Sequence, residues 1–346
     1  MPSRLVEADH PGRPTAGGAP APAPIQIVLG VYLRGLRLSQ QRTLAEAAAA
    51  ARVRVNTSTV SRWERAESLI PLPALEALLR YYGVKRAHVQ SLSDAFPSLQ
   101  RGFRLLPPSR QHAENHEGRW DRWADVAGNE AVARYTALTR AASDVVFFTM
   151  GRIPPDYRTA EYRAAIIDTA PRHDEPSPGP RWFNWVPPVA DARRTLLLDD
   201  TVLRRPVGDP RVMAAQLRHL LHLMAGPAGT SRADIRVVPS ATQIGAHHLA
   251  GEVADLTVHG HRLLAGMDAM PWYTNRSRCA QAVHDSLRRA VDRAPGHRES
   301  YALIERAAEH WESQTEEDPQ HHCDGCADSV AYSLGRSYRD PRSTPA

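Results

Sequence analysis

Cysteine is scarce in this chain: Cys279, Cys323 and Cys326 are the only three in 346 residues. Three cysteines give no disulfide framework and fit a reducing compartment, so a cytoplasmic protein is expected. Lysine is scarcer, since Lys85 stands alone and arginine supplies every other basic side chain. No window holds the roughly 18 uninterrupted apolar residues of a membrane span. The first residues lack the basic-then-apolar pattern of an export signal. Internal repeats are not apparent. No nucleophile elbow, P-loop or glycine-rich dinucleotide motif occurs. The neighbouring carboxylates Asp199 and Asp200 would diverge in either a helix or a strand, so they make no acid–base pair; Asp200 is expected to cap or orient Thr201–Arg205. No catalytic constellation and no cofactor are therefore expected. An enzymatic site near Trp182, Trp185 and Tyr273 is the weakest of the alternatives.

The length suits two domains with tails, and 42% apolar residues can bury a sizeable core. Residues 1–24, rich in Pro, Ala and Gly, are expected to be a disordered tail. Periodic apolar patterning marks a first module over 25–92. A polar, proline-punctuated linker follows over 93–118, then a second module over 119–312 and a loose tail over 313–346. Helices are expected near 128–142, 156–167, 210–224, 275–293 and 297–312, and strands near 144–150, 194–198, 234–239, 251–258 and 262–267. Residues 171–188 carry six prolines and three large aromatics and read as an irregular loop. The expected fold is an N-terminal all-α helix-turn-helix bundle of four to five helices followed by a mixed α+β domain.

Charge separates the modules. The chain is +5 overall, but residues 25–92 hold nine Arg and Lys85 against only Glu46, Glu64, Glu67 and Glu76. A positive module on a near-neutral body is the electrostatic footprint of a nucleic-acid binder.

The local pattern says how that module would bind. Thr43 followed three residues later by Glu46 is a capping box that starts the second helix. The alanine-rich 45–51 segment allows close packing against a third helix. Asn56 can cap that third helix, leaving Thr57, Ser58, Ser61 and Arg62 on its exposed N-terminal face while Val60 and Trp63 point inward. In a helix-turn-helix the first turns of the second motif helix meet base edges and the preceding helix crosses the phosphates. Thr57, Ser58, Ser61 and Arg62 are thus the candidate base readers, with Arg62 able to pair bidentately with guanine. Arg52, Arg54, Arg65 and Thr43 are candidate phosphate contacts. Arg37 and Glu64 are expected to form an interhelix ion pair that orients the third helix, with the modest energy of a surface pair. The partners that follow are double-stranded DNA and, because one module spans few bases, a second copy of the chain in a homodimer. No membrane is expected.

Two polar clusters compete for attention. His321, His322, Cys323 and Cys326 offer half of a tetrahedral zinc site. A polar tail is the plainer reading, so no metal is expected. His247, His248, His259 and His261 lie close in sequence, and strand alternation would put His259 and His261 on one face.

At these residues the first module resembles the bacterial Xre-type, phage-repressor-like helix-turn-helix family. The run from Val53 through Asn56, Val60, Arg62 and Glu64 follows that family's spacing without gaps. Arg54 stands where the family usually has the turn glycine, which would put an arginine at positive φ. The connection between the first two helices is longer by about two residues. The second module resembles a domain found behind such modules in actinobacterial antitoxin-like and developmental regulators. The resemblance rests on IPPDYRTAEYRAAI (153–166), LLLDDTVLRRPVGDPRVMAAQLRHLLHLM (196–224), IRVVP (235–239) and Glu299-Ser300. Pro155-Asp156-Tyr157-Arg158 departs from that domain's Gly-Leu-Leu-Gln, and Asp268 stands where Glu is frequent. The resemblance implies a transcriptional regulator without catalysis. It also implies an alternative, an antitoxin-like protein whose C-terminal domain neutralises a small partner protein encoded nearby, with DNA binding serving autoregulation.

Overall fold

Seven consecutive residues of the first helix, Ile27 to Leu33, are buried, so α1 (Pro24–Ser39) has no solvent face along its middle. A helix apolar all round needs neighbours on every side, and here two domains supply them. The computed structural model describes residues 21–96, 123–125, 130–169, 181–226, 234–240, 251–267, 270–275 and 278–316. In it, α1 packs with α2 (Leu44–Ala50), α3 (Thr57–Glu64), α4 (Leu72–Tyr81) and α5 (Arg86–Asp94) around Leu29, Ala47, Val60, Trp63, Leu75 and Leu92. The last turn of α5 includes Ser93 and Asp94, and Phe96 beyond it is buried, so the bundle reaches into the segment expected to be linker. The remainder of that segment, 97–118, lies outside the described residues, as do 1–20 of the N-terminal tail.

The second domain runs β1 (Trp123–Ala124), α6 (Glu130–Ala141), β2 (Ala142–Thr149), α7 (Ala160–Thr169), β3 (Arg193–Asp199), α8 (Thr201–Arg204), α9 (Pro210–Ala225), β4 (Asp234–Val238), β5 (Glu252–Val258), β6 (His261–Met267), β7 (Pro271–Thr274), α10 (Arg278–Arg293) and α11 (His297–Glu316). The strands form one mixed sheet in the order β1-β7-β6-β5-β2-β3-β4. β2, β3 and β4 are parallel, and the other pairings are antiparallel. Alternation along the strands divides the core. Val145, Phe147, Leu196, Leu198, Ala254 and Leu256 face the cluster built with α1, α6, α9 and α11. Phe148, Leu197, Val253 and Leu264 face α10 through Ala280, Val283, Leu287 and Ala290. α11 runs four residues past the expected domain end at 312.

Conserving space at α1 is what joins the domains. A Cβ on Gly30 would stand 2.7 Å from the Glu64 carbonyl oxygen and 2.8 Å from that of Trp63. A Cβ on Gly35 would stand 2.5 Å from the Trp182 ring. Trp182 sits in a short 3-10 turn (Arg181–Trp185) and is buried, so part of the expected irregular loop is an ordered clamp. Its ring meets Tyr32 edge-on, with centroids 4.8 Å apart. The Tyr32 hydroxyl donates to Glu130, and the Arg134 guanidinium lies 5.0 Å over the Tyr32 ring. Arg134 in turn donates to both carboxylate oxygens of Asp125, at 2.8 and 2.7 Å, with both side chains fully buried. Burial, and then the Glu130 charge, push the Tyr32 phenol far above its usual range, so it keeps the proton that it donates to Glu130. Near the chain's first described residues, Asn275 Nδ2 donates to the Pro22 carbonyl at 2.9 Å.

Two polar residues organise the loops of the second domain. Gln216 on α9 is fully buried; its Oε1 accepts from the Thr159 amide and its Nε2 donates to the Tyr157 carbonyl, both at 2.8 Å. That pins the 155–159 turn to α9. At the end of β3, Asp199 Oδ1 accepts from the Thr201 amide and hydroxyl, while Asp200 pairs with Arg204. Asp200 thus holds the N-cap position and orients the segment through Arg204, while the side-chain bond to the Thr201 amide comes from Asp199.

Because the atoms that a Gly30 side chain would meet are backbone, α1 and α3 cannot separate without losing packing elsewhere. Gly30→Ala is expected to lower the free energy of unfolding by about 1–3 kcal/mol, read from the denaturant midpoint at unchanged slope. An unchanged midpoint would show that the helices have room to part.

Candidate nucleic-acid interface

α3 starts where its cap dictates. Asn56 Oδ1 accepts from the Thr59 amide and hydroxyl, both at 2.9 Å, satisfying amide groups that the first helical turn leaves open. The helix then turns Val60 and Trp63 into the core, with 1% and 5% exposure. Thr57, Ser58 and Arg62 stand exposed on the opposite side, and Ser61 is half-buried beside them. Arg62 reaches back to Thr59 Oγ1 at 3.5 Å, a contact weak enough to exchange for a ligand. Ser61 Oγ accepts from Arg65 at 2.7 Å.

The candidate phosphate contacts are placed as follows. Thr43 caps α2: its hydroxyl accepts from the Glu46 amide at 3.2 Å, and Glu46 returns a carboxylate to the Thr43 amide at 2.8 Å. Those bonds and Arg42 hold the Glu46 carboxyl below the usual range. Arg52 and Arg54 are exposed in the turn between α2 and α3. The residue at positive φ there is Arg52, at 56°, not Arg54. The chain makes its left-handed step immediately after α2, two residues before the position where a glycine was expected. Arg65 grips Glu67 with two bonds of 2.6 and 2.9 Å.

Arg37 on α1 and Glu64 at the end of α3 form a forked pair, Nε to Oε1 at 2.6 Å and Nη2 to Oε2 at 2.8 Å. Both are buried, at 9% and 4% exposure, so this is not the weak surface pair expected. Arg37 also donates to the Arg42 carbonyl at 3.0 Å. Removing either partner would strand a buried charge, a loss of about 3–5 kcal/mol. The pair fixes the C-terminal end of α3 against the helix that joins the two domains.

A contact missing from the sequence reading lies at that same end. His259 is not a strand residue; with Gly260 it forms the turn between β5 and β6, at φ 50° and 80°. His261 opens β6. The turn comes within electrostatic reach of Arg34, Arg65 and Glu67, in α1 and in the segment that follows α3. No group of three or more His, Cys, Asp or Glu among the described residues could hold a metal ion. His247, His248, His321, His322, Cys323, Cys326 and Asp268 lie outside the described residues.

Comparison with known proteins adds two domains to this geometry. A helix-turn-helix domain is matched over residues 28–92, and a domain of unknown function, DUF5753, over 132–306. The chain belongs to the DUF5753 family. Neither a curated protein nor a solved structure matches it. The helix-turn-helix points to DNA binding, and the DUF5753 domain packs directly on it through α1. Among the described residues no helix is long and apolar enough to cross a membrane.

Burial, followed by the positive charges of Arg34 and Arg65, pushes the His259 imidazole down to about 4. In the unfolded chain it titrates near 6.5, so acid favours unfolding: stability contributed by keeping His259 neutral is intact above that value and falls as pH drops toward 4. Between about pH 7 and 5 the wild type should lose unfolding free energy, and His259→Asn, which tolerates the same backbone, should lose measurably less. Parallel pH profiles for the two proteins would contradict this.

Proposed function

We propose that this protein is a sequence-specific transcriptional regulator of the Xre type, with α3 entering the major groove of DNA. The observation that carries the reading is the outward face of α3: Thr57, Ser58 and Arg62 exposed together on a helix whose far side is anchored by Val60, Trp63 and the buried Arg37–Glu64 pair. Preorganisation matters because base readout needs side chains held in register with base edges, while phosphate contacts only position the protein. Arg62 supplies the bidentate donor suited to guanine, and the hydroxyls of Thr57, Ser58 and Ser61 supply less discriminating contacts. Arg52 and Arg54 meet phosphates on the flanking backbone.

The sheet domain supplies the second half of the regulator: dimerisation and response to a ligand or partner. A homodimer would place two recognition helices on half-sites about 34 Å apart, one turn of the duplex. Its docking through α1 makes the orientation of α3 a property of both domains.

Selection of bound sequences from a random DNA pool tests the assignment. Arg62→Ala should relax base preference at one position per half-site, at about 1–3 kcal/mol. Arg54→Ala should weaken binding to all sequences and reduce the salt slope by about one unit. An unchanged selection profile for Arg62→Ala would overturn the base-reading role.

A further inference from the structure

A cavity of about 300 Å³ opens between α10 and the sheet, on the face away from α1. It lies within the size range of small-molecule sites. Its floor comes from strand register. Asp144, Thr257 and Arg262 are aligned across β2, β5 and β6, and Val146 and Asp255 form the next row inward. Its roof is one stripe of α10, with His284, Leu287, Arg288 and Val291 at helical spacing.

The polar groups there exceed what packing needs, because α10 is already seated by Ala280, Val283 and Ala290. The His284 side chain is 4% exposed, and its Nδ1 lies 2.8 Å from Asp255 Oδ2. Asp255 also accepts from Arg262 at 2.5 Å. Burial alone would raise the Asp255 carboxyl, but the bonds from His284 and Arg262 outweigh it and hold the carboxyl below its usual range. An ionised carboxylate can only accept, so the His284 Nδ1–H donates to Asp255 and the rest of the ring lines the cavity. Arg288, also lining the cavity, has no ion pair among the described residues. The resulting inventory is one cation without an ion pair among the described residues, the His284 ring, the Asp144 carboxylate with one oxygen held by Arg193 and the other open, and an aliphatic wall.

We propose that this cavity binds a small organic acid bearing a hydroxyl or ammonium group and a short aliphatic tail. Arg288 takes the carboxylate, Asp144 accepts from the donor group beside the His284 ring, and Leu287, Val291 and Val146 receive the tail. This deepens the regulator reading by giving the sheet domain an effector, and rests on that reading only for what the effector controls. The route to DNA is short. β5 and β6 run from the cavity floor to the His259–Gly260 turn, which is within electrostatic reach of Arg65 and Glu67 at the end of α3.

Calorimetric titration of the full chain tests the site without DNA, so its outcome is independent of whether α3 reads bases. The probes are L-leucine, 2-hydroxy-4-methylpentanoate and the donor-free 4-methylpentanoate. At least one of the first two should bind saturably with Kd below about 1 mM. The donor-free acid should bind at least about tenfold more weakly. Arg288→Ala, at an exposed position that leaves the core intact, should weaken binding by about tenfold or more. Arg218→Ala, which removes only the exposed pair with Glu312, should bind as the wild type does. No saturable heat from either donor-bearing acid up to about 10 mM, equal binding of the donor-free acid, or undiminished binding by Arg288→Ala would each overturn the assignment.

Discussion

The close approach of α1 to two partners at once is the constraint on which the molecule depends. On one side Gly30 lets the helix settle against the Trp63 and Glu64 carbonyls, and Arg37 locks the same end of α3 through Glu64. Farther along, Gly35 admits the Trp182 ring and Tyr32 enters the buried Glu130–Arg134–Asp125 network. A helix with no polar stripe could not exist in a free-standing small bundle without exposing apolar surface. The second domain is therefore part of the fold of the first, and a single hydrophobic cluster runs through both.

That arrangement brings the sheet domain to bear on α3 at two points. One passes through α1 to the Arg37–Glu64 pair. The other is the β5–β6 turn, which brings His259 and His261 within electrostatic reach of Glu67, and His259 within reach of Arg65. Both converge on the C-terminal end of α3, leaving its N-terminal face, with Thr57, Ser58 and Arg62, exposed.

Local chemistry was legible in the sequence; long-range geometry was not. The Thr43–Glu46 capping box, the Asn56 cap and the inward turn of Val60 and Trp63 follow from spacing within a few residues, and each is formed. The main strands and helices of the second domain follow from periodicity in the same way. The two-residue β1 and the four-residue β7 escaped because they are too short to carry a period. Trp182 was hidden in a proline-rich stretch, since nothing local says that Tyr32, 150 positions earlier, meets it edge-on. The His284–Asp255 pair was invisible for the same reason, joining α10 to β5 across 29 residues. Where the reading erred by two residues, at Arg54 for Arg52, the backbone took its left-handed step at the nearer arginine.

Differential scanning calorimetry of the full chain tests the shared-helix account most directly. If α1 belongs to both domains, the bundle cannot melt while the sheet domain stays intact. One endotherm is then expected, with calorimetric and van't Hoff enthalpies agreeing. Two separate endotherms, with the bundle melting apart from the sheet, would contradict it.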